Sequence, residues 1–95
     1  MRLYEVMTIH RPDLAEDEFR SKVAGIEALL GEHGATVQNA DIWGKRRFAY
    51  EIDHLTEGFY SVITFQAEAE AVAELDRVLS LADEVVRHKV VRPGP

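Results

Sequence analysis

The most chemically distinctive stretch of the sequence is a run of three consecutive cations, Lys45-Arg46-Arg47, set among aromatic residues. Trp43 and Gly44 precede the run, and Phe48 and Tyr50 follow it. Lysine and arginine side chains at one end of a rigid strand can contact the phosphates of a nucleic acid. An exposed strand end can also carry charge simply to stay soluble and to block edge-to-edge pairing. The residues alone leave both interpretations open.

Other side chains that could do chemistry are scattered along the chain. The four histidines, His10, His33, His54 and His88, lie far apart, without the close spacing of common zinc motifs. Cysteine is absent, which excludes disulfides and thiolate ligands. There is no Gly-rich phosphate loop or nucleophile elbow, and the serines have no adjacent base. We therefore predict no catalytic residue, no metal site and no cofactor.

The composition, 46% apolar and 29% charged, is that of an ordinary small globular protein. The formal net charge of -6 argues against strong, indiscriminate binding to nucleic acid. The bases, however, gather at residues 45–47 and 87–92, while the acids concentrate at 13–32 and 68–84. Such a chain can still dock locally on phosphates. The start of the chain has no signal pattern and no apolar run approaches about 18 residues, so we expect a cytoplasmic protein without a membrane contact.

Hydrophobic periodicity predicts one domain, residues 1–95, with the order strand, helix, strand, strand, helix, strand. In the first helix, Asp13 is expected to be the N-cap and Glu16 to complete a capping box. The second strand is expected to bend near Gly44. The predicted strands are Arg2–Ile9, Thr36–Ile52, Phe59–Phe65 and Val85–Val91; the predicted helices cover 13–33 and 68–81; a turn occupies Asp53–Gly58, and Arg92–Pro95 is a short frayed end.

This order favours an α+β fold, the ferredoxin-like sandwich: a βαββαβ chain whose two helices cover one face of a four-stranded antiparallel sheet. Tyr4 and Val6 should then face the helices, as should Val86, His88 and Val90. The other face would be open and apolar, bordered by Arg87 and Lys89, which favours a partner protein over a scatter of exposed side chains. The apolar residues expected on that open face are Leu3, Met7, Ile9, Tyr60, Val62 and Val91.

Several segments carry a family resemblance. The chain opens Met-Arg-Leu-Tyr-Glu-Val-Met, residues 43–52 read Trp-Gly-Lys-Arg-Arg-Phe-Ala-Tyr-Glu-Ile, and residues 86–91 read Val-Arg-His-Lys-Val-Val. Together with 57–60 and 74–77, these segments resemble the bacterial small-subunit ribosomal protein number six family over essentially all 95 residues. The sequence departs from the family pattern at Phe48, where leucine is usual, and at Asp53, where a base is common.

The resemblance implies a non-enzymatic constituent of the small ribosomal subunit in the cytoplasm, with no small-molecule substrate. It implies binding to the central domain of small-subunit ribosomal RNA together with ribosomal protein eighteen, in support of subunit assembly and translation. Tyr4, Phe48 and Tyr50 would hold the strands in place, and ribosomal protein eighteen would cover the open face. The residues expected to contact RNA, in falling order, are Arg46, Arg47, Lys45, Arg2, Arg87, Lys89 and Arg92; those expected to contact the partner protein are Leu3, Met7, Ile9, Tyr60, Val62 and Val91.

A dimeric α+β-barrel protein is the alternative, either a small enzyme or a ligand-binding domain. Its apolar sheet face would close a pocket against a twin subunit, and His10 or His88 would be the acid–base group. The Lys45–Arg47 run has no evident use in such a protein.

Overall fold

The structure, a computed structural model, describes residues 1–93, and Gly94 and Pro95 of the predicted frayed end lie outside the described residues. The six predicted elements occur in the predicted order. They are β1 (Arg2–His10), α1 (Glu16–Glu32), β2 (Thr36–Ile52), β3 (Leu55–Ala67), α2 (Ala69–Leu81) and β4 (Val85–Val91).

The four strands form one antiparallel sheet in the order β2-β3-β1-β4, so β2 and β4 are its edges. Alternate residues of the two central strands, among them Val6 and Phe65, pack against the apolar stripes of α1 and α2. Phe19 of α1 stacks on Phe59 of β3 with ring centroids 4.8 Å apart. The predicted ferredoxin-like βαββαβ sandwich is confirmed, and the sheet face away from the helices is the open face of the prediction.

The start of α1 differs from the prediction. Ala15 is the N-cap, and the carboxylate of Glu18 accepts a hydrogen bond from its backbone amide at 3.1 Å. Alanine has no side-chain acceptor, so only this half of a capping box forms. Asp13 lies in the preceding turn, where its carboxylate pairs with the guanidinium of Arg11 at 3.4 Å. The predicted pair of Asp13 and Glu16 was therefore wrong, because the turn after β1 holds Asp13 outside the helix.

A second difference arises at the junction of β1 and β4. His10 is opposite Val85 and Ile9 is opposite Arg87, so the intervening Val86 is an extra residue in β4. Such a bulge reverses which side chains face the core on either side of it. As a result, Val85 packs against the core with Val90, and the prediction that Val86 faces inward was wrong.

The β2–β3 hairpin is longer than predicted. Ile52 is opposite Leu55, and the two residues between them, Asp53 and His54, have positive φ angles of 50° and 65°. A two-residue turn with both φ angles positive is the type I′ hairpin turn, and aspartate and histidine tolerate this conformation better than most residues. β1 pairs with β3 only from Phe59 onward, so residues 46–58 extend past the sheet as a two-stranded projection. We call this projection the hairpin arm.

Candidate RNA and partner interface

The register of β2 distributes the three consecutive cations over both sides of the strand. Arg46 is opposite Gly58 and faces the open side of the sheet. Lys45 is opposite Phe59 and lies on the helix side, where its Nζ sits 5.1 Å from the centre of the Phe59 ring. A cation over an aromatic face is attracted by the ring, so this contact restricts the lysine side chain. Arg47 follows on the same side as Lys45, and the cationic run therefore surrounds the base of the hairpin arm.

All seven cations expected to contact RNA are exposed. Within residues 1–93 none of them takes part in an ion pair; the lysine and arginine side chains that do are Arg11, Lys22 and Arg77. Arg46 donates one long hydrogen bond, 3.4 Å, to the carbonyl of Lys45. Charged donors without an internal acceptor are free to make the short, charge-assisted hydrogen bonds that phosphate oxygens accept.

The topology brings only part of this set together. On the open face, residues directly opposite one another on neighbouring strands form rows across the sheet. Arg87 is in the same row as Ile9 and Tyr60, and Arg46 is in the next open-face row, opposite Gly58. Lys89 is one row further along β4. Three strand spacings, about 14 Å, separate β2 from β4 across this end of the sheet. We call Lys45, Arg46, Arg47, Arg87 and Lys89 the near cations.

Arg2 and Arg92 lie at the opposite end of the sheet. Arg2 is opposite Ala67, nine residues along β3 from Gly58, which corresponds to about 30 Å from the row of Arg46. Arg92 comes directly after the end of β4 at the same far end. The seven cations therefore form two separate groups on the surface.

The open face carries the expected apolar residues in two central rows. Tyr60 is opposite Ile9, and Val62 is opposite Met7. Leu3 and Val91, which are 37% and 36% exposed, extend the apolar surface toward the far end.

Ile9 differs from the other five residues because only 3% of it is exposed. A Cβ placed on Gly58 would lie 2.8 Å from its Cγ2 and 3.0 Å from Cζ of Phe48, so Ile9 packs under the base of the hairpin arm. It therefore supports the open face from below and offers little surface of its own to a partner.

An aromatic cluster on the open face was not anticipated. Trp43 stacks on Tyr60 with centroids 6.0 Å apart and planes at 10°, and Phe48 meets the same ring edge-on at 6.0 Å. The Trp43 indole N–H donates to the Asp41 carboxylate at 3.0 Å, and Trp43 remains 44% exposed. The bulge between Ile42 and Gly44, where Gly44 has a φ of 85°, sets Trp43 beside Tyr60. In the sequence, the adjacent residues Trp43 and Gly44 are the feature that could have indicated this cluster. The residue on which Trp43 stacks cannot be identified from the sequence alone. We call Trp43, Phe48 and Tyr60 the aromatic cluster.

Both histidines of the barrel alternative are on the helix side of the sheet. His88 hydrogen-bonds through Nε2 to the Asp76 carboxylate of α2 at 2.8 Å. His10 is 1% exposed and meets the Phe19 ring edge-on at 5.2 Å. Burial lowers the pKa of His10 to about 4, although the nearby Glu84 carboxylate acts in the opposite direction. Neither imidazole could serve a pocket on the open face.

Two further properties of the described chain bear on its class. Over residues 1–93, no group of three or more His, Asp or Glu side chains is arranged to hold a metal ion. Neither α1 nor α2 is long and apolar enough to cross a membrane.

Comparison with known proteins agrees with this geometry. A family model described as Ribosomal protein S6 matches residues 3–92. Over 94 residues the chain is 50% identical to the small ribosomal subunit protein bS6 of Symbiobacterium thermophilum and 45% identical to that of Desulforamulus reducens, with 99% of both chains covered in each case. The crystal structure of 30S ribosomal protein S6 from Thermotoga maritima superposes with a TM-score of 0.92 at 30% identity, covering 97% of this chain and 87% of that one.

These matches contradict the enzyme form of the barrel alternative, because the S6 family is a family of structural ribosomal components. The chain belongs to the ribosomal protein S6 family and is a non-enzymatic constituent of the small ribosomal subunit in the cytoplasm.

Proposed function

We propose that this protein binds the central domain of small-subunit ribosomal RNA together with ribosomal protein eighteen, and thereby supports subunit assembly and translation. The observation that carries the proposal is the uncovered sheet face. It joins an apolar centre to a border of exposed cations that have no ion-pair partner within residues 1–93. A surface of this kind fits two partners at once, an apolar one and a polyanionic one.

The RNA contact is assigned first to the near cations. They are on ordered strands, so the backbone that positions their side chains does not have to rearrange on binding. Twelve of the seventeen acidic residues are in residues 13–32 and 68–84, on α1 and α2 or in the segments that flank them. Because exposed charges beyond about 10 Å are screened at physiological salt, these twelve acids oppose the RNA contact only weakly. The acids on the β2–β3 hairpin are closer to the cationic run, and Glu57 is directly opposite Arg47. Arg2 and Arg92 would reach a second RNA segment or the partner protein.

The contact with ribosomal protein eighteen is assigned to the apolar part of the open face: Leu3, Met7, Tyr60, Val62 and Val91, with Ile9 beneath. The aromatic cluster extends this surface toward the near cations. Exposed tryptophan, tyrosine and arginine are the residue types that most often dominate binding energy at protein interfaces. Trp43 is held by Tyr60 and Asp41 before binding, so it loses little conformational entropy when a partner covers it.

The RNA part is tested with Arg46→Glu plus Arg47→Glu, measured by filter binding to the central domain in the presence of ribosomal protein eighteen. The matched control is Arg20→Glu plus Arg77→Glu, which changes the net charge equally on the helix side. We expect at least a tenfold loss of RNA affinity for the first pair and little loss for the control. For the first pair, the slope of log K against the logarithm of the salt concentration should be shallower by about two. Equal affinities for the first pair and the wild type would refute the assignment.

The protein part is tested without RNA, by measuring the affinity of ribosomal protein eighteen for Trp43→Ala. Tyr50→Ala is the matched control, because Tyr50 is an aromatic residue of the same arm that is 75% exposed and lies outside the aromatic cluster. A central anchor residue costs at least about 2 kcal/mol when truncated, which corresponds to roughly a 30-fold loss. Equal affinities for the two variants would remove the aromatic cluster from the proposed interface.

A further inference from the structure

A cleft of about 320 Å³ lies between α1 and α2, on the side of the protein away from the open face. Its deepest residues are His10, Ile26 and Leu79, which are 1%, 7% and 4% exposed. On α1 the cleft extends from Lys22 to Glu32, a rise of about 15 Å. It has the size and the largely apolar lining of a small-molecule site.

Small side chains keep this cleft open. Gly25 and Ala28 line it from α1, and Ala82 lines it from the end of α2. A Cβ placed on Gly25 would meet nothing within 4 Å, so there is room beside the helix at this position. Glycine in a helix interior costs about 1 kcal/mol relative to alanine. The sequence therefore accepts a stability cost at a position that faces empty space.

The imidazole ring of His10, which lines the floor, contains a polar atom without a partner. Nδ1 of His10 is buried and has no hydrogen-bond partner in the described part of the chain. Buried polar atoms are almost always hydrogen-bonded, and an exception asks for an explanation. In the tautomer that carries its proton on Nε2, Nδ1 is an acceptor, but the atom is covered by the surrounding protein and does not itself face the cleft.

The charges around the cleft favour a cation. The Lys22 ammonium and the Glu84 carboxylate pair with each other at 3.5 Å. Glu32 makes no ion pair with any of residues 1–93. The last turns of α1 and α2 contain no basic residue, so the negative ends of both helices are uncompensated by their own side chains. A ligand ammonium group near Glu32 would be attracted by the carboxylate and by the carbonyl end of α1.

We propose that this cleft binds a small amphiphilic amine, with an apolar body on Ile26, Leu29 and Leu79 and an ammonium group at Glu32. The site is on the helix side of the sheet, away from the open face, and none of the near cations lines it, so its occupancy leaves the proposed RNA and protein contacts accessible.

The test is a titration of the ¹⁵N-labelled protein with tryptamine, followed by NMR of the backbone amides. Indole-3-propionate is the matched probe, because it has the same ring and linker but carries a carboxylate. We expect saturable shifts confined to the cleft, with a Kd for tryptamine of about 1 mM or tighter on the basis of its size. Indole-3-propionate should bind at least tenfold more weakly.

The variants are chosen so that folding does not obscure the result. Gly25→Leu fills the cleft, and Gly31→Leu is its control. A Cβ on either glycine meets nothing within 4 Å, and both changes favour the helix. Gly31, however, does not line the cleft. Gly25→Leu should lose at least tenfold in tryptamine affinity, Gly31→Leu should keep it, and Glu32→Gln should weaken it severalfold. The proposal is overturned by shifts that do not saturate, by equal binding of the two probes, or by unchanged affinity in Gly25→Leu.

Discussion

His10 makes the stability of this protein depend on pH in a way that a single substitution can isolate. The folded state lowers the pKa of His10 from 6.5 to about 4, mainly because the ring is buried. The unfolded chain therefore takes up a proton as the pH falls below 6.5, while the folded chain remains neutral. Stability contributed by this group is complete above pH 6.5, declines between pH 6.5 and 4, and then levels off.

The size of the effect follows from the two pKa values. A difference of about 2.5 units at about 1.36 kcal/mol per unit gives a loss of about 3 kcal/mol between pH 7 and pH 4. Since small domains are stable by only about 5–15 kcal/mol, this is a large share. His10→Phe keeps a flat ring against Phe19 and removes the titration. We expect the variant to lose about 3 kcal/mol less than the wild type over this range.

Urea denaturation at a series of pH values, followed through the fluorescence of the single tryptophan, measures the difference. Glu74 and Glu84 also lose stabilising interactions in acid, because both carboxylates have lowered pKa values in the folded state. The loss at Glu74 is common to wild type and variant and cancels in the comparison, and the loss at Glu84 cancels except for the small part of its lowered pKa that comes from His10. His33→Gln, a change at an exposed histidine, should follow the wild type. Parallel pH profiles for the wild type and His10→Phe would refute the reasoning.

Two predictions concern the packing that supports the interface. Gly58→Ala should destabilise the protein by about 1–3 kcal/mol, because its Cβ would lie 2.8 Å from both the His10 carbonyl oxygen and Ile9 Cγ2. Gly31→Ala is the control. A urea denaturation midpoint for Gly58→Ala equal to that of the wild type would contradict the expected clash. Thr8→Val should cost about 1–3 kcal/mol by leaving the buried Ser61 hydroxyl, 2.5 Å from Thr8 Oγ1, without its partner. Adding Ser61→Ala to Thr8→Val should recover part of that loss in a double-mutant cycle, and strictly additive losses would argue that the two hydroxyls do not interact.

The elements of the fold could be read from the sequence because each pattern is local. The strand ends of Thr36–Ile52 and Val85–Val91 are where alternation predicted them. The register could not be read in the same way, because it depends on the neighbouring strand. Val86 alternates correctly in the sequence, yet it becomes an extra residue where β4 meets Ile9 and His10. The capping of α1 failed for a similar reason, since Arg11 competes for Asp13.

The candidate site could likewise be predicted only in part, because the grouping of its residues depends on strand order and register. The predicted cations are exposed, as expected from their positions near strand ends. Their grouping required the sheet order, which puts β2 and β4 at opposite edges and sends Arg2 to the far end. The sequence does not predict a role for Trp43, because the stacking of its ring on Tyr60 depends on the register of β2. Tyr60 is seventeen positions away and becomes a neighbour of Trp43 only through the Gly44 bulge.

The hairpin arm connects the packing of the sheet to the proposed RNA contact. A two-stranded ribbon is at best marginally stable alone, so the arm must be held by the sheet at its base. The contacts that hold it are Phe48 beside Ile9 and Gly58, the Phe48–Tyr60 ring contact, and Lys45 over Phe59. Each involves a residue within or next to the cationic run. A substitution at the base of the arm, such as Gly58→Ala, should therefore weaken RNA binding without removing any charge, because the cations would lose their fixed positions.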